Sequence, residues 1–190
     1  NCHRLAVFTN DVELPDDGAV RHLLNMDPPD HGRYRNVTAK QFTPRAVTGL
    51  APHLERITRE VLDEAGREER CDFVRDVSAR ITIAVIAEML GVPREDWDLL
   101  FKWTNETIAP QDPEFQRGAS AEETLQRSRA ELFQYFHEMA VKRRAQPTND
   151  IVSVVANGSV DGKPLEPIEL LSYYFLLVVA GNETTRNAMT

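Results

Sequence analysis

Cysteine is nearly missing from this chain: 190 residues hold only Cys2 and Cys71, far apart and in no C-x-x-C pair. That excludes a disulfide framework and a cysteine zinc site, and it suits free thiols in a reducing compartment. Basic residues are also in deficit, 22 against 30 acidic ones for a net charge of −8. Phosphate neutralisation needs a basic surface, so nucleic acid is excluded as a partner. None of the five histidines has a glutamate three residues before it, which excludes the Glu-x-x-His pairs of a carboxylate-bridged metal oxidase in a helical bundle. A membrane span is excluded too, because the uncharged stretch between Glu169 and Glu183 falls well short of the ~20 residues a bilayer needs. There are no repeats or low-complexity segments, and no alternation of strands and helices to suggest a parallel sheet.

The length suffices for one sizeable core, or part of a larger one. The sequence begins at Asn1 without a methionine and stops at Thr190 with no C-cap glycine or following proline. The reading is therefore a single partial domain over 1–190, cut at both ends. No signal-peptide pattern is visible, which a missing N-terminus makes uninformative.

What the chain does contain is mainly helical periodicity. Pro15-Asp16-Asp17-Gly18 is a turn signal in a loop region, with at most a short helix around 19–24. Asp27-Pro28-Pro29-Asp30 predicts a helix start, with Asp27 as cap and Pro28 at the first helical position, running to about Phe42. Thr43-Pro44 ends it and can start the next short helix. A helix from Leu50 to about Glu64 puts Leu54, Ile57, Val61 and Leu62 on one face. The 71–77 stretch is extended or opens the next helix. Ile81 to Leu90 is β-branched, but its length, alanines and Gly91 stop favour a buried helix. Further helices follow from Pro93 to Ile108, from a capping box at Ser120–Glu123 to about Arg144, and from Asn149-Asp150 to Ala156. A turn or small hairpin occupies 157–164.

The last stretch is the most informative. Pro167 and Glu169 suit a first turn, and a nearly unbroken apolar run from Leu170 argues for a helix inside the protein. Where that helix should simply continue stands Ala180-Gly181-Asn182-Glu183-Thr184-Thr185. An acid and two hydroxyls in an interior are costly unless hydrogen-bonded or used. A glycine costs about 1 kcal/mol against alanine there, but lets another group approach the backbone. Thr184 and Thr185 can turn their hydroxyls onto carbonyls one turn earlier. The residues alone leave two readings open: a helix surfacing at its end, or a small polar niche.

A second constellation lies in Asp27-Pro28-Pro29-Asp30-His31-Gly32-Arg33-Tyr34-Arg35. His31 and Arg35 are four apart and share one helical face, where paired donors can grip a carboxylate. With Arg33, Lys40 and Arg45 they form a basic island in an acidic chain, and a solvated basic face is the other reading.

This segment, with Phe42-Thr43-Pro44-Arg45 behind it, closely resembles the helix C region of bacterial cytochromes P450. Ala180-Gly181-Asn182-Glu183-Thr184-Thr185 resembles their helix I oxygen-activation motif, and Asn182-Glu183-Thr184-Thr185-Arg186-Asn187 most resembles members acting on sterols, terpenes or fatty acyl chains. The resemblance covers essentially the whole chain, with helices D, E, F, G and H between the two motifs. It implies a mainly α fold, a fragment of the P450 fold from helix C to helix I, and a heme-thiolate monooxygenase inserting one oxygen atom from O2 into a hydrophobic small molecule. The implied cofactors are heme b with its iron, and O2, with electrons from NAD(P)H through ferredoxin reductase and ferredoxin. The basic helix C face would help dock that acidic partner. A cytoplasmic location is implied as well. By the same resemblance His31 and Arg35 bind a heme propionate, Ala180 and Gly181 leave room for dioxygen, and Thr184 and Glu183 form the acid–alcohol pair that delivers protons. Leu176 and Val179 line the substrate pocket. The 3–24 and 103–115 regions match variable substrate-facing segments.

The sequence also departs from the family. The cysteine that ligates heme iron follows helix I, near a glycine- and phenylalanine-containing loop and after an E-x-x-R helix, and neither Cys2 nor Cys71 matches it. The expectation is that the full protein is the enzyme and that this chain alone lacks the iron ligand. The competing expectation is a non-catalytic helical module that binds a hydrophobic ligand or partner, which leaves Glu183 and Thr184 without a task.

Overall fold

The computed structural model describes residues 23–67 and 69–190. Eight α-helices are found among them: α1 (Asp30–Asn36), α2 (Pro44–Thr48), α3 (Ala51–Ala65), α4 (Ala79–Leu90), α5 (Trp97–Ile108), α6 (Ala121–Ala145), α7 (Ile151–Ala156) and α8 (Pro167–Met189). Between α7 and α8 a two-stranded antiparallel hairpin, β1 (Ser159–Val160) and β2 (Lys163–Pro164), pairs Val160 with Lys163. Asp161 and Gly162 both take positive φ at its tip, the geometry of a two-residue hairpin turn. The mainly α fold is as expected.

Starts and stops follow local chemistry. Ser120 caps α6 by accepting from Glu123 N at 3.1 Å, while the Glu123 carboxylate reaches Ala119 N at 2.7 Å, one residue before the expected box partner. Asp150 caps α7 through Ser153 N at 2.6 Å. Gly91 ends α4 with φ 74°, and a Cβ there would run into Asp150. Thr43 caps α2 through Ala46 N at 3.3 Å. A capping box between Glu166 and Glu169 opens α8, with Pro167 in the first turn. The 71–77 stretch resolves into a π-helical turn, Phe73–Ser78, capped by Asp72 and leading into α4.

Two expectations are corrected. The first helix does not start at Asp27 and run to Phe42. It occupies Asp30–Asn36, and a separate 3-10 turn covers Ala39–Phe42. A residue before proline is pushed out of the helical region, and Pro28 precedes Pro29, so the helix waits for the second proline. On α3, only Ile57 and Val61 are buried, against Val77, Ile81 and Ala84, whereas Leu54 is 43 % exposed and Leu62 49 %. The buried stripe is narrower than the apolar pattern. The expected short helix around 19–24 lies almost wholly outside the described residues.

The main core is built by α4, α5, α6 and α7 around α8. Phe136 of α6 stacks on Tyr174 of α8 at 5.2 Å between ring centroids, and the Tyr174 hydroxyl donates to Val152 O at 2.8 Å. Burying Tyr174, Val178, Leu100, Leu132 and Phe136 to 0 % exposure fixes the rotation of α8 about its own axis.

Candidate functional site

The site is set by what α8 carries on the side that the core leaves free. At its N-terminal end, α1 and the turn after it dock there. Tyr34 donates to the Glu169 carboxylate. The Tyr173 hydroxyl donates to Tyr34 O at 3.1 Å, and the buried Thr38 Oγ1 lies 2.8 Å from the same hydroxyl. Burial pushes the Tyr173 phenol up, while Thr38 and the nearby Arg35 guanidinium pull the other way. His31 is half-buried and Arg35 exposed. Among the described residues no carboxylate forms an ion pair with either, whereas Arg33 pairs with Asp161 at 3.1 Å and Asp30 at 3.5 Å.

An α-helix turns about 100° per residue, so Glu169, Tyr173, Ala180 and Thr184 fall within an arc of about 60°. The stripe that receives α1 therefore continues to Ala180 and Thr184, about 10 Å and about 16 Å further along the axis from Tyr173. Both are exposed. Thr184 Oγ1 donates to Ala180 O at 2.8 Å, the back-bond expected of it, and α8 runs unbroken through the motif.

Gly181 lies off this stripe. A Cβ added to Gly181 would meet Ile86 Cδ1 of α4 at 3.0 Å and Cγ1 at 3.2 Å. Its missing side chain lets α8 and α4 approach. Asn182 is fully buried behind it and accepts from Thr82 Oγ1 at 2.6 Å.

Glu183 lies on the opposite flank from Gly181. Its carboxylate accepts from Arg186 Nη2 and from Asn187 Nδ2, the latter at 3.2 Å, and no hydrogen bond links it to Thr184. Arg186 in turn donates through Nη1 to Asn105 Oδ1 of α5 at 3.0 Å. Leu176 and Val179, both half-buried, share the Glu183 flank. The motif thus splits three ways: Ala180 and Thr184 to open space, Gly181 and Asn182 to α4, Glu183 toward α5. Sequence reading missed Tyr173, Thr38, Asn105 and Arg186. Only Arg186 had a signal, a cation three residues after an acid on one helix.

Three relatives bear on what this arrangement belongs to. The chain is 40% identical over 168 residues to a steroid C26-monooxygenase of Mycolicibacterium smegmatis, covering 88% of this chain and 38% of that protein. Cytochrome P450 CYP268A2 of Mycobacterium marinum, solved with pseudoionone, superposes with a TM-score of 0.84 at 28% identity over 90% of this chain and 42% of its own.

The chain belongs to the bacterial cytochromes P450.

A third relative, myxobacterial P450 CYP267B1 solved with myristic acid, superposes with a TM-score of 0.77 at 35% identity over 91% of this chain and 43% of its own. No protein-family model matches the chain. The P450 chain spans about two fifths of the length of the relatives it matches. Its helices run from helix C of that fold, α1, to helix I, α8.

The chemistry of these residues suits a heme: His31 and Arg35, with no carboxylate paired to them among the described residues, are donors of the kind its acidic edge would need, and the exposed Ala180 and Thr184 leave α8 uncovered there. Neither a cluster of three or more metal-ligating side chains nor a helix long and apolar enough to cross a membrane occurs among the described residues. Cys71 is exposed, just before the π-helical turn.

Proposed function

We propose that the protein carrying this chain is a heme-thiolate monooxygenase that inserts one oxygen atom from O2 into a hydrophobic small molecule of sterol, terpene or fatty-acyl type. The observation that supports it most is the single stripe of α8 with α1 docked at one end and Ala180 and Thr184 uncovered at the other. The relatives' names and ligands, a steroid oxidation, pseudoionone and myristic acid, agree on hydrophobic molecules and differ in class.

When bound, the heme supplies oxygen activation, tuned by a thiolate from outside these helices. The chain's residues have separate tasks. His31 and Arg35 hold a propionate with charge-assisted hydrogen bonds. Ala180 keeps the open stripe free of bulk. The Thr184 hydroxyl turns from Ala180 O to donate toward the open side, and Glu183 passes protons from solvent as a general acid. Leu176 and Val179 border the substrate space and exclude water. Electrons arrive from NAD(P)H through ferredoxin reductase and ferredoxin, the latter attracted to the basic face of Arg33, Lys40 and Arg45.

The test uses the full-length protein. A CO-difference spectrum characteristic of thiolate-ligated heme is expected, and binding-induced spectral shifts are expected with one of testosterone, pseudoionone or myristic acid. Thr184→Ala is expected to keep the heme while releasing more peroxide per NAD(P)H. A protein without that spectrum overturns the assignment, and unchanged coupling of NAD(P)H to product removes Thr184 from it.

A further inference from the structure

The Glu183 carboxylate does not stand alone. It accepts from Arg186, whose side chain is 16% exposed, and Arg186 spans the gap to Asn105 of α5, itself 2% exposed. We propose that Arg186, anchored by Asn105, is a positioning residue that sets where the Glu183 carboxylate lies and ties that position to α5. The proposal rests on the monooxygenase reading and adds residues which that reading does not use.

Two observations carry it. First, the geometry is a fork. Arg186 uses Nη2 on Glu183 and Nη1 on Asn105, two donors of one rigid guanidinium that point to different elements. Moving α5 relative to α8 must therefore move the guanidinium and with it the acid. Second, the orientation of Asn105 is fixed by chemistry: arginine only donates, so the amide oxygen must face it and Nδ2 must face away. That Nδ2 and Arg186 Nε are both buried without a partner among the described residues. An apolar pair of similar size would fill the α5–α8 contact without stranding two donors, so packing alone does not account for the arrangement.

Three consequences follow from the fork. Lysine keeps the charge of Arg186 but cannot bridge two acceptors in a plane, so Arg186→Lys breaks the tether. Asn105→Leu removes the anchor at similar volume. Asn105→Asp keeps an acceptor facing Arg186 and preserves it.

The experiment compares these three variants of the full-length, heme-containing enzyme with whichever of testosterone, pseudoionone or myristic acid binds it, using a surrogate ferredoxin and reductase. Heme content and CO-difference spectrum are measured first. Arg186→Lys and Asn105→Leu are expected to keep both, to hold KM within about twofold, and to lower kcat about tenfold with peroxide release raised, since small misplacements of a reacting group are costly. Asn105→Asp is expected to stay within about threefold of the parent. Thermal unfolding supplies a readout independent of turnover: in a cycle of Asn105→Leu, Arg186→Lys and the double variant, the effects are expected to be non-additive. Parental kcat and coupling in Arg186→Lys, a rise in KM with kcat unchanged, or an additive cycle each overturn the positioning role while leaving the monooxygenase assignment standing. A full-length protein without thiolate-ligated heme overturns that assignment instead, and the catalytic meaning of the tether with it.

Discussion

The hydroxyl of Tyr173 on α8 receives a hydrogen bond from Thr38 at 2.8 Å and gives one to Tyr34 O at 3.1 Å. Because the Tyr173 proton is committed to the carbonyl, Thr38 must be the donor of the pair. One buried phenol thus joins α1, the turn after it and α8. Tyr173→Phe keeps the ring and removes both bonds, leaving the buried Thr38 hydroxyl without its partner. The expected loss of stability is ~1–3 kcal/mol, read as a lower midpoint in denaturant at unchanged slope. An unchanged midpoint would mean that α1 is held by Tyr34–Glu169 and apolar contact alone.

The free donors of α1 lead to a second expectation. Arg35 is exposed and His31 half-buried, and neither has a carboxylate partner among the described residues. Removing them costs the fold little, as surface substitutions away from packed features generally do, within about 0.5 kcal/mol. Their proposed task is to hold a propionate. In the full-length protein His31→Ala and Arg35→Ala are expected to retain near-parental unfolding midpoints while losing heme faster to an apo-globin acceptor. Full retention of heme in both variants counts against propionate binding.

Much of this was legible in the sequence because it is local. The capping residues Asp150 and Ser120, the Gly91 stop and the first turns led by Pro44 and Pro167 sit at fixed offsets from the helices they serve, and the structure places them within a residue or two, whereas Pro93 leads a 3-10 turn, Arg94–Asp96, and α5 begins only at Trp97. What was not legible depends on which face of a helix the fold turns inward. The apolar pattern of α3 could not say that Leu54 and Leu62 stay exposed, since that depends on how α4 approaches. Nor could the motif 180–185 say that its residues point in three directions. The rotation of α8 is fixed by Tyr174 and Val178 against the core, far from the motif in sequence. The Thr38–Tyr173 and Arg186–Asn105 bonds join residues 135 and 81 positions apart, a separation no local pattern encodes.

Gly181 is a case where helix propensity and packing oppose each other. Alanine is favoured over glycine in a helix by about 1 kcal/mol. Here the new methyl would sit 3.0 Å from Ile86 Cδ1, in a contact where Ile86 is buried and Gly181 half-buried. Overpacking of this kind typically costs 1–3 kcal/mol, so packing is expected to win and Gly181→Ala to destabilise by about 1 kcal/mol. Ile86→Val removes the nearest atom. The double variant Gly181→Ala/Ile86→Val is therefore expected to be more stable than the sum of its parts, measured by chemical unfolding. Additive effects would show that α8 and α4 separate instead of clashing.

The link between α5 and α6 carries a pH signature. Glu131 accepts from Arg117 at 2.7 Å and Trp103 at 2.9 Å, and Lys102 lies 3.3 Å away. The Arg117 hydrogen bond, helped by Trp103 and Lys102 and opposed by burial, holds its carboxyl down to about 2 from 4.5. A carboxyl with a depressed folded value contributes stability that is complete above about 4.5 and is lost as pH falls toward about 2. Its side chain is 41% exposed, so solvent screening reduces the contribution to at most about 1 kcal/mol. Glu106 also pairs with Arg117, at 3.1 Å, but burial raises its proton affinity and gives it the opposite slope. A plain acid titration therefore mixes two opposing effects. Comparing the parent with Glu131→Gln cancels the Glu106 contribution to first order. The stability difference between the two proteins is expected to be constant from pH 7 to about 5, then to shrink toward zero near pH 2. A difference that persists undiminished at pH 2 would assign the stabilisation to packing of the side chain and not to its charge.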